Sequence, residues 1–171
     1  MQEMKGHRQL VRRSVANVDL PEVWNILTNS SLLPKWAPQV RHVEKFEITG
    51  EAVGAVRQCQ VELAGRPGTI VEKCVDIEPL RHIAYVVEHD SFGMTEMFAE
   101  YGFRISLQAG SPSSTRVQME TFYTPRNGLY SILNAVIMRR RFRRVVDELL
   151  AGLVTLAEES SRVRKRERSA R

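Results

Sequence analysis

The sequence predicts an α+β fold in which a curved, seven-stranded antiparallel sheet wraps around one long C-terminal helix. Three observations carry this expectation. Residues 41–124 contain six consecutive strand-like segments separated only by short turns, the pattern of an antiparallel meander. From Asn127 to about residue 159 the apolar period becomes helical, with Phe142, Val145, Val146, Leu149, Leu153 and Leu156 on one face. Two short helical segments separate the first strand from the meander. A sheet must bury one face, and the terminal helix is the only element large enough to cover it. A curved sheet around a single helix leaves an internal space.

The elements follow in order. Residues 8–17 read as the first strand. Asp19 is placed to cap a short helix, with Glu22 three residues on in a capping-box pattern and Val23, Trp24, Ile26 and Leu27 as its apolar stripe. Ser31 is placed to cap a second helix, which Pro38 stops. Strands are expected over 41–49, 54–63, 69–77, 82–89, 95–108 and 114–124. The turn signals between them are Thr49-Gly50-Glu51, Gly65-Arg66-Pro67-Gly68, Glu78-Pro79-Leu80, Asp90-Ser91-Phe92-Gly93 and Gly110-Ser111-Pro112-Ser113. The expected organisation is a leader over 1–7, a ligand-binding domain over 8–159 and a basic, disordered tail over 160–171.

Composition narrows the class. The chain has 171 residues, 43% of them hydrophobic and 26% charged, with a net charge of +5. That suits one soluble domain with a sizeable core. No apolar run reaches the roughly 18 residues that span a bilayer, and the N-terminus has no secretory h-region, so the expected location is cytoplasmic. The charge is unevenly placed: residues 1–125 carry 13 basic against 15 acidic side chains, and residues 126–171 carry 12 against 5. The excess lies in Arg139, Arg140, Arg141, Arg143 and Arg144 and in the tail. Either these are a solvated helix face and a solubilising tail, or they bind an anionic surface. No zinc finger, helix-turn-helix or RNP-like segment supports nucleic acid. His7, His42, His82 and His89 are dispersed, two cysteines do not complete a zinc site, and no phosphate loop or dinucleotide fingerprint is present, so no metal or cofactor is expected.

Several local signatures go together: the entry Val18-Asp19-Leu20-Pro21-Glu22-Val23-Trp24-Asn25-Ile26-Leu27, the segment Leu33-Pro34-Lys35-Trp36-Ala37-Pro38, Val53-Gly54 opening the next strand, the step from Ile77-Glu78-Pro79 to Ile83-Ala84-Tyr85, and the closing helix. With the element order, they resemble the START/Bet v 1-like (SRPBCC) superfamily, specifically its bacterial polyketide cyclase/dehydrase and lipid-transport group. The resemblance covers about residues 8–158. It implies a helix-grip fold with a hydrophobic ligand cavity, and little about chemistry, because the group shares a scaffold rather than a catalytic motif.

Cross-strand register follows from the turns. If Gly65-Arg66-Pro67-Gly68 closes a hairpin, Leu63 faces Ile70, Val61 faces Glu72, Cys59 faces Cys74 and Arg57 faces Asp76. The same face continues through Tyr85, Val87 and His89, then Met97, Tyr101 and Phe103, then Met119, Thr121 and Tyr123, and should point inward because it is the apolar one. Candidate ligand-binding residues are therefore Trp36, Cys59, Val61, Tyr85, Val87, Met97, Tyr101, Phe103, Met119, Thr121, Tyr123 and Leu133. Trp36 and the Asp90–Met94 loop are expected near an opening. Arg57 opposite Asp76 reads as an ion pair. Glu72 lies diagonal to His89, either as a structural carboxylate–imidazole pair or as a general acid/base pair for cyclisation or dehydration. Candidate catalytic residues are Glu72, His89, Tyr85 and Arg57. The two thiols are near each other in this register, and a cytoplasmic setting favours their remaining free.

At the start of the long helix, Leu129, Leu133, Val136 and Ile137 point away from the Phe142 stripe, and Arg140 and Arg144 continue that back face. This layout fits peripheral contact with an anionic membrane; packing under a loop or in a homodimer is the alternative. The functional readings are a carrier of a lipid-like or polyketide-like molecule, a cofactor-free cyclase/dehydratase, or an interaction module with a vestigial cavity.

Overall fold

Strand pairing in the computed structural model, which describes residues 6–46, 52–110 and 113–169, gives one antiparallel sheet of seven strands in the order β1-β7-β6-β5-β4-β3-β2. The strands are β1 (Arg8–Ala16), β2 (Val40–Phe46), β3 (Val56–Leu63), β4 (Arg66–Glu78), β5 (His82–Asp90), β6 (Phe98–Ala109) and β7 (Thr115–Pro125). Between β1 and β2 come α1 (Leu20–Leu27) and, after a short 3-10 turn, α2 (Leu33–Trp36); α3 (Met94–Met97) joins β5 to β6. The chain ends in α4 (Gly128–Leu133), a wide π turn over 134–138, and α5 (Arg139–Ser169). The expected turns at Thr49-Gly50-Glu51 and Ser111-Pro112 lie outside the described residues.

The concave face of the sheet packs on α5. Ile83, Tyr85, Ile105, Val117 and Met119 from the strands meet Val146, Leu150, Leu153 and Ala157 from the helix in one core. The edge strand β1 is tied to α5 by Arg12, whose Nε and Nη2 donate to the Asp147 carboxylate at 2.6 and 3.0 Å. α2 crosses α5 so closely that a Cβ on Gly152 would collide with the Trp36 carbonyl, so the crossing requires glycine there.

Several local expectations change. The β3–β4 hairpin closes through two residues, Ala64 and Gly65, both with positive φ (53° and 78°). The turn is the tight two-residue type whose twist matches the strands. Leu63 therefore pairs with Arg66, Cys59 with Ile70 and Arg57 with Glu72. Pro67 and Gly68, read from sequence as turn residues, belong to β4 instead. Pro67 is tolerated because its missing N–H falls beyond Ile70, where pairing with β5 begins. Asp19 holds the N-cap position of α1 without a side-chain cap, and Glu22 instead pairs with Arg164 of α5 at 2.8 Å. α2 has Leu32 rather than Ser31 at its N-cap and no side-chain cap, while Asn29 caps the preceding 3-10 turn by accepting from the Ser31 N–H at 3.1 Å. Composition suggests disorder from residue 160, yet the helix runs on to Ser169. Ser161 is buried there, and Arg162 and Arg164 reach Glu158 and Glu22.

Candidate functional site

Two irregularities in the β4–β5 ladder decide which polar side chains face inward. Pairing jumps from Val71–His89 to Glu72–Val87, leaving Glu88 as an extra residue. It jumps again from Cys74–Tyr85 to Asp76–Ala84, leaving Val75 extra. Each β-bulge reverses the side-chain alternation beyond it. His89 is thereby turned outward and exposed, so the expected Glu72–His89 pair does not form. Asp76 goes to the convex face, where it meets His82 Nε2 at 3.0 Å and Arg104 Nη2 at 3.6 Å. The expected Arg57–Asp76 ion pair is replaced by one between Arg57 Nε and Glu72 Oε2 at 2.7 Å.

A partly open cavity of about 120 Å³ lies between the concave face and α5. Its sheet wall comprises Cys59, Val61, Leu63, Ile70, Tyr101, Phe103, Ile105, Met119 and Thr121, with Arg57 and Glu72 among them. Phe142, Val145, Val146 and Leu149 of α5 form the opposite wall. Leu33, Trp36, Ala37, Gln39 and Val40, in α2 and the link to β2, close the side. The ion pair is deeply buried, its side chains 8% and 12% exposed. Arg57 also stacks 4.0 Å above the Tyr85 ring, and the Cys59 thiol donates to Glu72 Oε2 at 3.9 Å. Glu72 thus keeps charge-assisted partners that offset its desolvation.

Three buried polar atoms on this wall have no protein partner: Trp36 Nε1, Gln39 Oε1 and Thr121 Oγ1. The amide nitrogen of Gln39 donates to Glu148 of α5 at 2.6 Å, which orients the side chain. An unpartnered buried donor or acceptor costs about 1–3 kcal/mol, so these three atoms are the ones in the cavity that a water or a polar group would satisfy. A larger depression, about 560 Å³, crosses the outer face of β1, β7 and β6 beside Arg13, Arg116 and Gln118. It has no comparable unpartnered groups.

One end of the cavity is aromatic. Phe98, Tyr101, Tyr123 and Phe142 contact one another with ring centroids 4.7–6.5 Å apart. Burial, with the Glu72 carboxylate nearby, pushes the Tyr101 phenol well above its ordinary pKa, so it stays a proton donor. Tyr123 OH donates to Asn134 Oδ1 at 2.8 Å, across to the π turn. Beneath this end, the buried Asp90 carboxylate accepts from the N–H groups of Phe92 (2.7 Å), Met94 (3.0 Å) and Thr95 (2.7 Å). Burial would raise its pKa, but hydrogen bonds led by the Thr95 and Met94 N–H groups outweigh that and hold it below the usual value.

Of the residues singled out from sequence, Trp36, Arg57, Cys59, Val61, Glu72, Tyr101, Phe103, Met119 and Thr121 meet around this cavity. Tyr85 lies behind Arg57, Met97 and Tyr123 belong to the aromatic end, and Val87 and Leu133 fall outside the wall. Phe142, Val145, Val146 and Leu149 were visible in sequence only as a helix stripe. Gln39 carries no pattern that marks it. No disulfide joins Cys59 and Cys74, and the Cys74 thiol donates to the Asp76 carbonyl at 3.8 Å. Among the described residues, no cluster of three His, Cys, Asp or Glu is placed to hold a metal ion, and no helix is long and apolar enough to cross a membrane.

The chain is similar in fold to several solved structures. A START superfamily protein from Mycobacterium smegmatis aligns with a TM-score of 0.73 at 13% identity, covering 90% of this chain and 99% of that one. The Zhui aromatase/cyclase from Streptomyces sp. R1128 gives 0.69 at 18% identity, covering 89% and 94%. Ginseng major latex-like protein 151 from Panax ginseng gives 0.72 at 14% identity, covering 86% and 95%. No curated protein matches by sequence. The model of the family described as polyketide cyclase/dehydrase and lipid transport matches residues 8–158, so this helix-grip chain belongs to that family.

Proposed function

We propose that this protein binds or carries an apolar or aromatic small molecule bearing an oxygen function, held between the sheet and α5. The observation that carries the reading is the mainly apolar wall between sheet and helix, interrupted by the unpartnered Trp36 Nε1, Gln39 Oε1 and Thr121 Oγ1. Such walls bind by shape, with a few polar groups fixing orientation. Size limits the ligand: a dry cavity of about 150 Å³ takes up benzene, so the 120 Å³ space suits a single ring. A longer lipid-like or polyketide-like ligand requires α5 or the aromatic end to yield. Because Trp36 lines the wall, intrinsic fluorescence reports occupancy. Titration with p-cresol, 1-naphthol and decanoic acid, checked by native mass spectrometry, should give one-to-one binding of at least one oxygenated probe. Thr121→Val or Trp36→Phe should weaken that binding about tenfold while the fold is retained. A folded protein that takes up none of the probes would overturn the reading.

The buried Arg57–Glu72 pair favours a second reading, a cofactor-free cyclase/dehydratase. In it Glu72 accepts a proton from the carbon next to a carbonyl, and Arg57 stabilises the enolate oxygen. The enolate carbon attacks a second carbonyl of the same molecule, and the Glu72 carboxylic acid returns its proton to the new alkoxide, which departs as water when a further α-proton is lost. Glu72→Gln should then abolish turnover of a β-keto probe while leaving probe binding in place. Wild-type protein that binds such a probe without converting it would favour the carrier.

A further inference from the structure

We infer that α4 and the π turn form a docking surface for an anionic bilayer. Four large apolar residues stand exposed within nine positions: Leu129 (72%), Ile132 (66%), Val136 (61%) and Ile137 (41%). Among the described residues, the other exposed large apolar side chains, Val15, Val53, Leu80 and Val163, are scattered along the chain, as single surface residues normally are. The cluster is therefore a patch rather than background. Anchoring explains its orientation. Asn134 is drawn inward by Tyr123, and Met138 packs on the aromatic end of the cavity. The opposite side of the turn is left facing solvent. Leu133, which the sequence groups with this back face, is half-buried, whereas Ile132 is exposed.

Charge selects the occupant. Between Glu120 and Asp147 the sequence holds six arginines and no carboxylate. Arg139, Arg140, Arg141, Arg143 and Arg144 are all exposed beside the patch, and among the described residues only Arg144 of these makes an ion pair, with Glu148 at 2.8 Å. A second copy docked two-fold on this face would bring like charges together. Nucleic acid would match the arginines but leave the leucine and isoleucines in water. An anionic headgroup layer over hydrocarbon satisfies both. The surface also adjoins the cavity, because Met138 and Phe142 share the aromatic cluster and Phe142 lines the wall. A ligand leaving through that end would enter the bilayer directly.

Docking is tested without any ligand, so its failure is separable from failure of the cavity reading. The full chain is sedimented with vesicles of phosphatidylcholine alone or mixed with phosphatidylserine. Binding is expected on the mixed vesicles only. Combined Arg140→Glu and Arg143→Glu should reduce it at least about tenfold. Leu129→Asp with Ile132→Asp should also reduce it, with an unchanged melting temperature because these side chains are exposed. Equal or absent binding to both vesicle types overturns the proposal, as does retention by the Leu129/Ile132 variant. So does a wild-type dimer, seen by native mass spectrometry, that the same variant dissociates.

Discussion

Arg57 and Glu72 show how far one residue's role depends on its partner. Each is a charge taken out of water, and each is tolerated because the other lies at 2.7 Å with the Tyr85 ring beneath the guanidinium. Arg57→Leu alone should destabilise by about 3–5 kcal/mol, because it strands a buried carboxylate. Adding Glu72→Leu should restore most of that loss, as urea melts of the single and double variants would reveal. Asp90 makes a pH-dependent contribution. Its native pKa lies below the ordinary 3.8, so its stabilisation is present above the unfolded-state value and drains away as pH falls through the native one. Asp90→Asn should cost about 1–3 kcal/mol at neutral pH and flatten the acid limb of the stability curve, measured by thermal melts below about pH 4. Ala64 occupies a left-handed conformation that ordinary side chains disfavour. Ala64→Asn, which suits the same turn, should raise stability by about 0.5–1 kcal/mol in denaturant titration.

Elements were more legible than their alignment. Six meander strands, two short helices and a long terminal helix follow from apolar period and turn chemistry. The β3–β4 register does not, because Gly65-Arg66-Pro67-Gly68 carries a stronger turn signature than Ala64-Gly65, where the chain turns. The slip is four residues, an even number, so the inward face survived while every cross-strand partner changed. The bulges at Val75 and Glu88 displace by one, so they turned Asp76 and His89 outward. No sequence signal marks either bulge. Where α2 crosses α5, Gly152 admits the Trp36 carbonyl. Gly152→Ala should lower stability by about 1–3 kcal/mol, despite the better helix propensity of alanine, since backbone cannot yield. A modest gain in a thermal melt would show that the crossing can relax.

For the whole molecule, binding and stability are linked. A ligand held only by the folded cavity stabilises it by about 2.7 kcal/mol at a hundred times its Kd, so an oxygenated probe should raise the melting temperature in proportion to the logarithm of its concentration. A probe that binds without such a shift would be attached elsewhere. The net charge of +5 divides between a mildly acidic sheet-and-cavity body and a basic helix, which confines any anionic partner to one side. The sequence by itself determined the fold class, the seven strands, the two short helices before the meander, the long terminal helix and the location of the positive charge. All of these are set by local periodicity and composition along the chain. It did not determine α3, which takes the start of the strand expected over 95–108. Only the tertiary structure decided that Arg57 meets Glu72, that His89 and Asp76 leave the cavity side, and that Gln39 and Phe142 join its wall. Those outcomes depend on turn length, single-residue bulges and the approach of α5 to the sheet, where a displacement of one residue reverses a side chain at little local cost.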